Sequence, residues 1–138
     1  MTKIKFDINI IKFMNLFESL THAKVKDCIV EEERIIFIVE ENNISKAVGR
    51  QGVNVRRLEN SLKKKIKIVE HHPELLKFVQ NVIYPLKVRE IKEEEGVVVI
   101  TAPDTTTRGY LIGRGAANLR GFESIVKRYF DIKEMKVL

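Results

Sequence analysis

Two short stretches hold residue types suited to gripping an anion: Gly49-Arg50-Gln51-Gly52 and its near copy Gly113-Arg114-Gly115-Ala116. A Gly-x-x-Gly turn lets backbone approach a ligand with no Cβ in the way, and it aims successive amide groups outward where a helix begins. Phosphate suits such a donor cluster. Arg50 adds a planar fork of N–H donors that fits phosphate oxygens. Taken alone, a glycine-bounded turn is an ordinary loop feature, so its meaning depends on the chain around it.

The charge around both turns supports an anionic partner. From Asn43 to Lys67 the chain holds eight basic residues, Lys46, Arg50, Arg56, Arg57, Lys63, Lys64, Lys65 and Lys67, against Glu59 alone, a net of +7. From Thr105 to Phe130 it holds five, Arg108, Arg114, Arg120, Lys127 and Arg128, against Glu123, a net of +4. The formal total is +6, which leaves −5 for the remainder. A solvated helix surface explains some of these lysines but not why the rest of the chain is acidic.

The elements that must position the turns follow from hydrophobic periodicity. An amphipathic helix is expected from about Ile8 to Thr21, capped by Asp7, with Ile10, Phe13, Met14, Phe17 and Leu20 recurring at three and four residues. Ala23 to Val30 reads as a strand, Glu31-Glu32-Glu33 as a tight connection, and Arg34 to Glu40 as a second strand, together a hairpin. Asn42 or Asn43 caps a short helix through Val48, the glycine turn follows, and a helix from Val53 to Lys63 buries Val55, Leu58 and Leu62. Ile66 and Ile68 mark a third strand.

After His71-His72-Pro73 the same order begins again. A helix is expected from Glu74 to Tyr84, a strand from Leu86 to Ile91, the acidic connection Glu93-Glu94-Glu95, and a buried strand Val97-Val98-Val99-Ile100. A loop with Pro103-Asp104, a short helix ending at Ile112, the second turn, a helix through Tyr129, and a strand holding Ile132, Met135 and Val137 complete it. Up to the second strand the copies match at a shift of 62, with Phe13-Met14 on Leu75-Leu76; from the turn onward the shift is 64, with Asn54 on Asn118, Arg56 on Arg120 and Ile68 on Ile132. The second copy thereby gains two residues in its Pro103 loop. Shared glycines can be put down to helix-turn-helix geometry, and Asn54 to a cap. Shared arginines cannot.

The stretch Val48-Gly49-Arg50-Gln51-Gly52-Val53-Asn54-Val55-Arg56-Arg57-Leu58 resembles the KH signature, a hydrophobic residue followed by Gly-x-x-Gly and a helix opening with Asn-x-Arg. The order of elements resembles the type II form, and two such modules in one short chain are similar to the archaeal NusA-like transcription factors. The resemblance covers essentially the whole chain. It implies an α+β fold, an α/β sandwich of two tandem type II KH domains at 1–72 and 73–138. Each would run helix-strand-strand-helix-turn-helix-strand, with its helices on one face of a three-stranded sheet. It also implies RNA binding with a role in transcription termination or antitermination, single-stranded RNA crossing a groove beside each turn at about four nucleotides per module.

Carried over by position, Gly49, Arg50, Gln51 and Gly52 clamp the RNA backbone, assisted by Lys46, Asn54, Arg56 and Arg57. The second set is Gly113, Arg114, Gly115, Ala116, Asn118 and Arg120. Ile44, Val48, Ile36 and Ile38 are candidates for an apolar groove floor, with core the simpler role for each. The second turn departs from the signature at Ala116, since alanine resists positive φ and puts a methyl group where RNA would approach. Weaker binding there, or a role in orienting the first module, is expected.

At 138 residues, with 44% hydrophobic content, the chain can bury a real core. No apolar run approaches the roughly 20 residues that span a bilayer, and charges interrupt the first 30 residues, so no signal peptide is read and the expected location is the cytoplasm. Cys28 is the sole cysteine and is expected in the core. His71-His72 with Glu74 lack helical metal-ligand spacing, Gly113-x-Gly115 lacks the third glycine of a dinucleotide loop, and no nucleophile and base stand together. No enzyme, cofactor or metal is therefore expected. A monomer is expected, its modules packed as a rigid pair with one basic track, which small-angle scattering would refute by showing two independent lobes. The competing readings are a ribosome-associated KH protein and a KH-fold interaction module contacting RNA polymerase.

Overall fold

The computed structural model describes the backbone of residues 2–138 and the side chains of residues 9–138. The chain forms two compact units, Met1–His71 and His72–Leu138.

In the first unit, α1 (Thr2–Thr21) is followed by β1 (Val25–Val30), β2 (Arg34–Val39), α2 (Ile44–Val48), a 3₁₀ turn (Arg50–Gly52), α3 (Val53–Leu62) and β3 (Lys65–Glu70). β1 pairs antiparallel with β2, and β3 joins the other side of β2 in parallel. A parallel neighbour needs a crossover, and the α2-turn-α3 segment supplies it. The glycine turn therefore sits in a connection whose two ends are fixed by the sheet. Ile35, Phe37 and Val39 of β2 face the helices and pack with Phe17, Cys28, Ala47 and Leu58. The ring of Phe17 stacks on Phe37 at 4.3 Å between centroids.

Three expectations change here. α1 begins before Ile8, so Asp7 lies inside the helix and does not cap it; its side chain is outside the described residues. Asn43 stands at the start of α2 but makes no capping bond. Its Oδ1 instead accepts the Lys24 amide at 2.9 Å, tying α2 to the approach to β1. Ile36 and Ile38 alternate to the face of the sheet away from the helices, yet both are fully buried, so they offer no groove floor.

The second unit repeats the order: α4 (Leu75–Ile83), β4 (Glu90–Glu94), β5 (Val97–Thr101), α5 (Thr105–Ile112), a 3₁₀ turn (Arg114–Ala116), α6 (Ala117–Lys127) and β6 (Glu134–Val137). Its sheet runs β4-β5-β6, again antiparallel then parallel. Phe78, Val82, Val98, Ile100, Leu111, Ile125 and Met135 form its core. Asp104 caps α5 by accepting the Thr107 amide at 2.6 Å.

Its first strand starts at Glu90, not at Leu86, and takes in Glu93 and Glu94, which were expected in the connection. The reason is the turn Glu95-Gly96, with φ of 53° and 85°. Two successive left-handed residues make a two-residue hairpin turn, which pulls the acids before it into the strand. An edge strand exposed along most of its length tolerates them. α6 stops at Lys127, not Tyr129, and Ile132 lies in the connection ahead of β6. Phe78 packs against the rings of Tyr129 and Phe130 in that connection, at 5.5 and 5.6 Å. Ile68 lies beside Phe37 within β3, whereas Ile132 precedes β6 and pairs with no strand residue, so the two do not correspond. The second copy has thus also gained residues between α6 and β6.

Candidate nucleic-acid interface

Each turn joins a short helix to a longer one through three left-handed residues. In the first, Gly49 has φ 78° and ψ 170°, Gln51 55° and 28°, and Gly52 75° and 19°. In the second, Gly113 has 74° and 174°, Gly115 60° and 27°, and Ala116 64° and 21°. The two backbones follow the same path. Glycine holds two of the three left-handed positions in each, and the third falls to Gln51 in one and Ala116 in the other. Ala116 therefore does not break the turn, because the glycine missing from the fourth position is present at the third.

The glycines differ in purpose. A Cβ on Gly49 would lie 2.9 Å from the Asn54 side chain, and one on Gly113 2.7 Å from that of Asn118. These glycines are required by internal packing. A Cβ on Gly52 would meet only Nη1 of Arg56 at 3.5 Å, and one on Gly115 would meet nothing within 4 Å. That side of each turn is open to an approaching ligand.

The asparagines explain the crowding. Asn54 Nδ2 donates to the Lys46 carbonyl at 3.0 Å, and Asn118 Nδ2 to the Tyr110 carbonyl at 2.8 Å. Each ties the start of the second helix to the last turn of the first, so these amides position the turn. Arg56 Nη1 donates to the Gln51 carbonyl at 2.6 Å, bracing the left-handed residue. Its counterpart Arg120 turns to Glu123, at 2.7 Å. Lys46, Arg50, Arg57 and Arg114 are exposed, and among the described residues no hydrogen bond or ion pair occupies their side chains. Both turns thus present exposed, uncommitted cations beside backbone that a ligand can reach.

Glu59 and Glu123, which reading by charge counted only as lone acids, have a second shared task. Glu59 Oε2 accepts the Ile66 amide at 3.3 Å and Glu123 Oε2 the Met135 amide at 2.8 Å, fastening α3 to β3 and α6 to β6. Burial pushes the Glu123 carboxyl up, but the Met135 amide, Arg120 and Lys127 outweigh it and hold it below the usual carboxylate range. Tyr110 was also missed. It is 61% exposed, stands in the last turn of α5 where the first unit carries Lys46, and was legible from the repeat alone.

Elsewhere, His72 Nδ1 accepts the Glu74 amide at 2.9 Å. Among the described residues no cluster of three or more metal-ligating side chains occurs, and no helix is long and apolar enough to cross a membrane.

The KH domain family matches residues 14–96, from within α1 through the first turn to the β4-β5 turn. The chain belongs to the NusA-like KH-domain family. It is 30% identical over 139 residues to the probable transcription termination protein NusA of Methanococcus vannielii, covering 99% of this chain and 80% of that one. The NusA of Halococcus morrhuae is also 30% identical, over 129 residues, covering 92% and 93%. The crystal structure of APE1850 superposes with a TM-score of 0.76 at 27% identity, over 95% of this chain and 99% of that one. KH domains are RNA-binding modules in which a Gly-x-x-Gly loop clamps the nucleic-acid backbone. In this NusA-like chain, the sequence Gly-x-x-Gly falls at residues 49–52, inside the matched stretch.

Proposed function

We propose that the protein binds single-stranded RNA through the turn at Gly49–Gly52, with both units acting as KH modules of about four nucleotides each. The names of its relatives support a role in transcription termination or antitermination. RNA polymerase is then the natural protein partner, and a cytoplasmic monomer the working form. The observation that carries the reading is the open side of the turn. Gly52 leaves space for a backbone to approach, while Arg50, Lys46 and Arg57 stand exposed and uncommitted beside it. Phosphate contacts supply affinity there, and unpaired bases lie in the groove.

The test is fluorescence anisotropy of a labelled single-stranded RNA pool with wild type and with Arg50→Glu/Gly52→Asp. Gly49 stays intact, because any side chain there collides with Asn54 and would confuse misfolding with lost contact. Asp tolerates the left-handed conformation at position 52 better than most residues. Binding that falls at least tenfold, with circular dichroism unchanged, supports the clamp. Equal binding by both proteins makes the turn scaffolding, and no binding by either turns the reading to a protein-contacting module.

A further inference from the structure

We infer that Tyr110 is a base-stacking platform on the lip of the second turn, holding an unpaired nucleobase where the first unit offers Lys46 to a phosphate. The inference rests on the RNA-binding reading above and names what the second turn adds to it. Lys46 and Tyr110 are equivalent residues by structure: each carbonyl accepts the side-chain amide of the asparagine that opens the following helix, Asn54 or Asn118. That bond pins the last turn of α5. The Gly113 amide closes on the Gly109 carbonyl at 2.8 Å, so Tyr110 projects from a fixed backbone.

A lone exposed tyrosine is unremarkable on a protein surface. This one stands in the last turn of α5, and the bond from Asn118 to its carbonyl holds its backbone beside the turn that Gly113 opens. A strand that crosses the turn at Arg114 passes the end of α5 that carries Tyr110, where its next base can stack. Tyr110 is 61% exposed, and among the described residues its side chain has no hydrogen bond and no ring contact. The charge distribution agrees, because the second basic stretch carries +4 against +7 for the first. A unit with fewer cations gains affinity from stacking, which every base can supply.

The experiment uses the full chain, a short labelled single-stranded RNA of mixed sequence, and an abasic strand of equal length. Tyr110→Ala is expected to weaken binding of the base-bearing strand by about 5- to 150-fold while leaving its salt dependence and the abasic affinity unchanged. Tyr110→Phe should bind as wild type. The chain has no tryptophan, so Tyr110→Trp installs a single reporter, expected to be quenched by the base-bearing strand and not by the abasic one. Unchanged binding by Tyr110→Ala, or equal losses on both strands, would overturn the inference. If Arg50→Glu/Gly52→Asp still abolishes binding in that case, the RNA-binding reading survives without it. Failure of wild type to bind either strand removes both.

Discussion

Gln51 and Ala116 each hold a conformation that costs a residue with a Cβ about 1–2 kcal/mol relative to glycine. Replacing either with glycine removes that strain but frees the unfolded chain, so the net gain is smaller than the strain itself. Gln51→Gly and Ala116→Gly are each expected to raise stability by about 0.5–1 kcal/mol, read as a higher urea midpoint at constant slope. Glu123 offers a second test. Glu123→Ala strands the buried Met135 amide and should cost about 2–3 kcal/mol, whereas Glu123→Gln keeps an acceptor and should cost about 1. Because the folded carboxyl sits below its usual range, its contribution is present above the unfolded value near 4.5 and is lost as pH falls through the folded value. Urea melts in acid should show that loss in wild type, and its absence in Glu123→Gln. The glycines were legible in sequence because residue type alone signals left-handed backbone. The bonds of Asn54, Asn118 and Glu123 were not, since each joins segments whose spacing only the folded backbone defines.

Among the elements, buried strands and helix stripes were readable because period and composition agree, as in Arg34–Val39 and in the α3 stripe around Leu58. β4 was misplaced because its edge position removes the apolar pattern, leaving the Glu95-Gly96 turn as the sole fixed point. The end of α6 was misplaced because Tyr129 and Phe130 continue an apolar stripe that in fact packs from a connection onto Phe78. β3 carries a testable peculiarity. Burial, and then the charge of Arg34, lower the pKa of Lys67 to about 8. Between about 8 and the ordinary 10.5 the unfolded chain holds a proton that the folded one has released, so stability rises with pH across that window. Lys67→Met should lose this rise, so that the stability difference between variant and wild type changes across the window. A constant difference, followed by chemical denaturation, would show that Lys67 titrates normally.

For the whole molecule, the decisive property is that cations are concentrated in the two stretches that carry the turns while the remainder is acidic. Such a distribution steers an anionic strand to one kind of site and repels it elsewhere. RNA affinity should therefore fall with salt at a log-log slope of about −3 if one module neutralises roughly four phosphates, and more steeply if both engage. Anisotropy titrations across a range of potassium chloride measure this slope, and Arg50→Glu should make it shallower. A slope near zero would point to binding without phosphate contacts. The two turns also show that one backbone path can be spelled in two ways. Three left-handed positions served by two glycines leave one place free to carry a side chain, and the copies have settled on different places, Gln51 and Ala116. Either arrangement closes the same turn, so a search for the literal spelling Gly-x-x-Gly passes over residues 113–116 although the backbone there follows the same course as at 49–52.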